Sequence, residues 1–141
     1  MKRTVLIAAA AALLATPTIA QDIAEGEELT AKRCKSCHMI SDGDNVILKG
    51  GKTGPNLYAV MGRTAGTADF KRYGKDLQAA GEAGLVWDEA QVIAYLEDPR
   101  AFLRTYLDDP KAKSKMSFKL KKEEDRANVA AYLASIGAAT N

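Results

Sequence analysis

Residues 34–38 read Cys-Lys-Ser-Cys-His, and they contain both cysteines and the only histidine of the 141-residue chain. Two thiols three positions apart can reach the two vinyl groups of one porphyrin, and the next residue can offer its imidazole to the iron. This is the spacing of covalent c-type haem attachment, through Cys34 and Cys37, with His38 as an axial ligand. A chain built on such a group is expected to move electrons and not to transform a substrate. Two plainer readings compete. A disulfide across two residues closes a loop too small to staple much of a fold. A thioredoxin-like redox pair belongs at a strand-to-helix junction, and no Val/Ile-rich strand precedes Cys34. The adjacent histidine decides for haem.

The far face of the iron needs a ligand from elsewhere in the chain. With no second histidine, lysine, methionine or water remain. Met39 adjoins His38 and cannot reach the opposite face. Met61 lies beside Val60 on an apolar segment and reads as packing. Met116 stands alone between Lys115 and Ser117, far from His38 in sequence, and is the favoured ligand. His/Met coordination raises the haem potential relative to two histidines and closes the iron to small molecules. Without Met116 the site would be open, and the chain would be a candidate gas binder or peroxidase-like enzyme.

The elements that must position these residues are short helices. At the N-terminus, Lys2 and Arg3 precede an apolar run from Val5 to Ala15, and Thr18-Ile19-Ala20 supplies small residues for cleavage. The run is too short to span a bilayer, so residues 1–20 read as a secretory leader and 21–141 as the mature domain. Losing the first 20 of 141 residues leaves 121, enough for one domain. Lys2 and Arg3 leave with the leader, so 18 of the 20 basic residues face 18 acidic ones. A neutral domain gives no reason to expect nucleic-acid binding, and no second stretch could insert in a membrane.

Asp22 with Glu25 predicts a capping box opening a helix whose face is Ile23, Gly26, Leu29 and Thr30. Gly26 costs about 1 kcal/mol inside a helix, which a close helix crossing would explain. Glycines and Pro55 make 41–56 a loop, in which Val46-Ile47-Leu48 could be a short extended piece without alternation around it; 57–63 offers a helical turn ending at Gly62, and 75–80 is a helix closed by Gly81. Asp88 with Gln91 caps a helix presenting Val92, Ile93 and Leu96. Pro99 starts another, with Phe102, Leu103, Tyr106 and Leu107. Residues 108–119 are a polar loop. Val129, Tyr132, Leu133 and Ile136 define the last helix, stopped by Gly137. About five modest helices make a thin all-α core, and a flat apolar macrocycle would complete it.

In order, Cys34-Lys-Ser-Cys37-His38, Lys52-Thr-Gly-Pro55-Asn-Leu, Gly62-Arg63-Thr64, Tyr73-Gly74, Trp87-Asp88, Tyr95-Leu-Glu-Asp-Pro99, Lys115-Met116-Ser-Phe118 and Ala131-Tyr-Leu133 span the mature chain. Taken together they resemble class I cytochromes c, most closely the longer cytochromes c2 of purple bacteria. The resemblance implies the class I cytochrome c fold and one covalently bound haem c. It implies that the Pro55 carbonyl orients His38, that Arg63, Tyr73 and Trp87 donate to a haem propionate, and that Tyr95 lies near Met116. It also implies that Gly26 and Leu29 cross the last helix near Val129 and Tyr132. Relative to mitochondrial cytochromes c, the stretches before Pro55 and before Met116 are longer.

Six lysines fall between Lys111 and Lys122 with no acidic residue among them, and Lys32, Arg33 and Lys35 flank the histidine segment. Both basic segments carry an iron ligand, so positive charge should ring the haem edge and steer acidic partners to it. The expected protein is a soluble, monomeric periplasmic electron carrier. Its expected partners are a cytochrome bc-type complex upstream and a cytochrome c oxidase or photosynthetic reaction centre downstream. A cytochrome subunit dedicated to one dehydrogenase is the alternative.

Overall fold

A computed structural model describes residues 20–137. The leader, apart from Ala20, lies outside the described residues. Among the described residues there are five helices and one hairpin: α1 Ile23–Arg33, β1 Ile40–Asp42, β2 Asn45–Leu48, α2 Lys75–Glu82, α3 Glu89–Glu97, α4 Pro99–Tyr106 and α5 Glu123–Ser135. The all-α expectation holds in its main lines.

Local chemistry starts three of the helices, α1, α3 and α4, each capped by an aspartate. The Asp22 carboxylate accepts from the Glu25 amide at 3.0 Å, and Asp88 accepts from Gln91 at 2.7 Å. Asp98 closes α3 and caps α4 through the amides of Arg100 and Ala101, with Pro99 as the first helical residue. The reciprocal half of the capping box expected at Glu25 does not form. The Asp22 amide donates instead to Asn128 Oδ1 in α5, 2.8 Å away, so a tertiary bond replaces a local one.

The frame of the molecule is α1 crossing α5, with α3 also packed on α5 and α4 on α3. A Cβ on Gly26 would sit 2.0 Å from the Asn128 carbonyl oxygen and 2.9 Å from Tyr132 Cβ. Only a residue without a side chain lets the two backbones approach this closely, which accounts for the helix-interior glycine. Thr30, the next buried residue of α1, returns its hydroxyl to the Gly26 carbonyl at 2.7 Å. Ile23, expected on the same buried face, is half exposed because the crossing is centred on Gly26 and Thr30.

Three more expectations are corrected. Residues 41–56 are not all loop: β1 and β2 pair antiparallel, Asp42 opposite Asn45. Gly43 takes φ +56° at the first position of the two-residue turn, as primed hairpin turns demand. The strands expose nearly every side chain of β2, so no alternation marks them in the sequence. Residues 57–63 form two successive turns, Val60 N–H to Leu57 and Arg63 N–H to Val60, and no helix. Gly81 does not end α2. The helix runs on to Glu82, with Gly81 fitted against the Ala65 carbonyl, and the chain reverses at Gly84.

Candidate haem site

The end of α1 sets out the first half of the site. The Cys34 amide still donates to Thr30, and the amides of Cys37 and His38 both donate to the Cys34 carbonyl at 3.1 and 2.9 Å. The turn continues the helical wind, so Cys34, Cys37 and His38, spaced i, i+3 and i+4, lie on one side. Neither cysteine is in a disulfide. Burial pushes the Cys34 thiol up to about 11, with the neighbouring Cys37 adding to the shift. Cys37 is exposed, and hydrogen bonds from Thr53 and Ser36 hold its thiol below the usual value.

The loop after the hairpin folds back on this turn, with the Gly51 amide donating to Lys35 and Gly54 to Cys37, each at 2.8 Å. A Cβ on Gly54 would lie 2.4 Å from His38 Cε1, so the loop can press flat against the imidazole only through glycine. His38 Nδ1–H donates to the Pro55 carbonyl at 2.7 Å. That bond fixes the tautomer and leaves Nε2 with its lone pair free. Burial lowers the imidazole pKa despite the opposing Pro55 bond, so the ring is neutral at pH 7 and able to ligate.

The opposite wall comes from the segment before α5. Along residues 112–120, Ala112 and Leu120 are buried and Ser114, Met116 and Phe118 are half-buried, while every residue between them is exposed. An extended chain alternates its faces, so this period of two aims Met116 inward and the lysines outward. The alternation Ala-Lys-Ser-Lys-Met-Ser-Phe-Lys-Leu is plain in the sequence, and it is the signal that a reading of 108–119 as polar loop misses. The Met116 amide donates to Ser114 Oγ at 3.2 Å, and Ser114 Oγ pairs with the Tyr95 hydroxyl at 3.3 Å. Tyr95 thus braces the methionine segment through Ser114.

Between the walls lies a cavity of about 570 Å³, lined by His38, Met116, Cys34, Cys37 and the apolar side chains Leu57, Val60, Leu77, Val92, Leu96, Val129 and Leu133. The cavity also brings together Pro55, Arg63, Tyr73, Trp87 and Tyr95, far apart in sequence. Segments 62–65 and 85–87 run antiparallel, with Gly62 N–H on the Trp87 carbonyl at 2.7 Å and Trp87 N–H on Arg63 at 3.0 Å, which sets Arg63 beside Trp87. Trp87 and Tyr95 meet edge-on at 5.0 Å, and Phe102 packs against both. Phe102 belongs to this brace rather than to a simple helix face.

The donors at one end of the cavity are chemically specific. The Arg63 guanidinium donates to the carbonyls of Asn56 and Tyr58, and no ion pair among the described residues includes it. Burial lowers its pKa. Burial raises that of Tyr73, against the pull of the Arg63 charge. A desolvated guanidinium beside a phenol and an indole, without a carboxylate of the protein's own, is matched to an acidic substituent of a ligand. An apolar slot, two unbridged thiols, a free imidazole nitrogen and this polar end together fit haem.

At the mouth, sequence reasoning passed over Phe70 and Arg72. Arg72 reaches the Lys52 carbonyl and lies over the Phe70 ring, 5.7 Å from its centroid, while Lys115 Nζ donates to the Arg72 carbonyl at 3.1 Å. The strip ties the histidine-side loop to the methionine-side segment. Arg33, Arg72 and Lys115 border the cavity. The basic ring is thinner than its lysine count, because Lys119 pairs with Asp98 and Lys32 with Glu28.

A small helical fold whose one cavity-borne histidine follows two thiols on a single turn defines a protein built around a covalently held haem. The cytochrome c family model matches residues 23–137, and the chain belongs to the cytochrome c family. Cytochrome c-551 of Roseobacter denitrificans is 54% identical over the whole of both chains. Cytochrome c2 of Cereibacter sphaeroides is 50% identical, covering 92% of each. The crystal structure of cytochrome c2 from Rhodobacter sphaeroides superposes with a TM-score of 0.79 at 48% identity, covering 84% of this chain and 98% of that one. The protein therefore carries one covalently attached haem c and is an electron carrier, not an enzyme. No helix among the described residues is long and apolar enough to cross a membrane.

Proposed function

We propose that the protein is a periplasmic single-electron shuttle in which His38 and Met116 are the axial iron ligands and Cys34 and Cys37 the thioether anchors. The observation that carries this reading is the placing of His38 and Met116, 78 positions apart in the chain, on the lining of one cavity that also holds both thiols. Haem iron supplies reversible one-electron chemistry when bound. The chain's own residues do the rest. Pro55 keeps His38 in one orientation, the apolar lining excludes water, and Arg63, Tyr73 and Trp87, which share the cavity lining, would donate to a propionate. A centre held from both sides rearranges little between redox states, which suits a carrier and not a catalyst.

Arg33, Arg72 and Lys115 border the cavity, so acidic docking faces are the matching partner chemistry. We take a cytochrome bc-type complex as the electron donor and a cytochrome c oxidase or photosynthetic reaction centre as the acceptor. Second-order rates with such partners should fall steeply as ionic strength rises from about 10 to 200 mM, where the screening length shrinks from about 30 to under 10 Å. Stopped-flow rates that do not change with salt would remove the electrostatic docking face from this reading.

The mature protein would begin at Gln21 after export. Asp22 then stands next to the new N-terminus with its carboxylate on α1 and its amide on α5, so the fold starts where the leader ends. N-terminal sequencing or intact mass of periplasmic protein should give a chain starting at Gln21. A chain retaining Met1 would exclude the leader.

A further inference from the structure

Arg126 is a cation on α5 that is only 6% exposed. Its Nη1 donates to the carbonyls of Leu120 and Lys121 at 2.9 and 2.7 Å, and its Nη2 lies 3.7 Å from the carboxylate of exposed Glu97. The buried Nε has no partner among the described residues. Burying a guanidinium that is incompletely satisfied is costly, and an aliphatic side chain would fill the space without that cost. What an aliphatic residue cannot do is hold two successive carbonyls.

Those carbonyls sit at the exit of the segment that carries Met116. Leu120 is held from both sides, its amide donating to the Leu96 carbonyl at 2.8 Å and its carbonyl accepting from Arg126. The other anchors of the segment lie upstream or are exposed. Arg104 Nε donates to the Ala112 carbonyl, the Lys113 amide donates to Asp76, and Lys119 pairs with Asp98 at the surface. From Met116 to Leu120 inward and exposed residues alternate, with Ser114 and Tyr95 holding the upstream end and Leu120 the exit. A slip of one residue at the exit would turn Met116 outward and put Lys115 or Ser117, exposed residues at the cavity border, in its place.

We propose that Arg126 is the register pin of the methionine segment: a positioning residue that fixes which face of residues 112–120 meets the cavity and so holds Met116 in place as ligand. It does not line the cavity and acts on the segment through Leu120 and Lys121. The proposal rests on the reading of Met116 as axial ligand.

The test compares ferric holoproteins carrying Arg126→Gln, Arg126→Lys and, as a control, Asn128→Ala. The last loses the α1–α5 bond to Asp22 and leaves the clamp intact. Imidazole serves as the competing ligand. Charge-assisted hydrogen bonds of this kind correspond to about a 10- to 100-fold change, so Arg126→Gln should bind imidazole tighter by about that factor. Its Leu120 amide should lose hydrogen-exchange protection to match. Arg126→Lys, which keeps the charge and part of the donor set, should fall between wild type and Gln. Asn128→Ala should lower the unfolding midpoint with wild-type imidazole affinity. If Arg126→Gln fails to accumulate, Arg126→Lys against Asn128→Ala decides. The pin is overturned if the Arg126 variants bind imidazole no tighter than Asn128→Ala. Met116→Ala tests the underlying reading separately. If it keeps the methionine-sulfur charge-transfer band, the ligand assignment fails. If it loses the band while the Arg126 variants behave as the control, only the pin fails.

Discussion

Deprived of haem, the chain is expected to lose its cooperative fold. The cavity of about 570 Å³ is lined by residues that are also the core: Val60, Trp87, Val92, Tyr95, Leu96, Val129 and Leu133 are all buried, and they face both the helices and the slot. Without an occupant the apolar lining is left unpacked or wetted, and a domain of this class has only about 5–15 kcal/mol of stability to set against that loss. The helices cannot collapse into it without breaking the Gly26 crossing or the 62–65 and 85–87 pairing, whose backbones are already in contact. A Cys34→Ser, Cys37→Ser variant lacking covalent haem should show a weak helical circular-dichroism signal and no sharp thermal transition. A haem-free protein that keeps native helicity and melts cooperatively would show that the helix contacts suffice, and that the cofactor is cargo and not core.

The second large effect is expected at Met116. Met116→Ala leaves the segment otherwise anchored, since Ser114 keeps its bond to Tyr95 and Leu120 its bonds to Leu96 and Arg126. The substitution should therefore open the iron without unfolding the protein. The ferric spectrum should lose its sulfur-to-iron charge-transfer band, the ferrous protein should take up carbon monoxide readily, and the midpoint potential should fall, because thioether ligation favours the reduced iron. The wild-type ferrous protein should resist carbon monoxide under the same conditions. A variant that kept the band would place the ligand elsewhere, and Met61 would be the next to test, since it packs partly buried against the core.

Much of this protein can be read from residue types because the chemistry is local. Covalent haem attachment needs two thiols and an imidazole within one turn, so Cys34, Cys37 and His38 announce themselves. Capping by Asp22, Asp88 and Asp98 likewise acts within three residues, and the starts of α1, α3 and α4 fall where those side chains put them. Elimination among few methionines singles out Met116, which lies on the cavity lining with His38, and the alternating lysines around it signal a segment with one inward face.

What stayed hidden depends on groups distant in sequence. The hairpin at 40–48 exposes almost all of β2, so no pattern of hydrophobicity betrays it. Arg63, Tyr73 and Trp87 read alone as a surface cation and two core aromatics. They become one polar cluster only because the backbone pairing of 62–65 with 85–87 and the cavity lining bring them together. Gly81 looks like a helix stop until the Ala65 carbonyl is placed against it. Arg126 looks like any charged residue early in an acidic helix, and its burial follows from where the segment ending at Leu120 docks. Covalent spacing and capping act over one helical turn and are written in neighbouring letters. Burial, desolvation and the pairing of remote carbonyls with a cation arise only once α1, α3 and α5 have closed around the cavity.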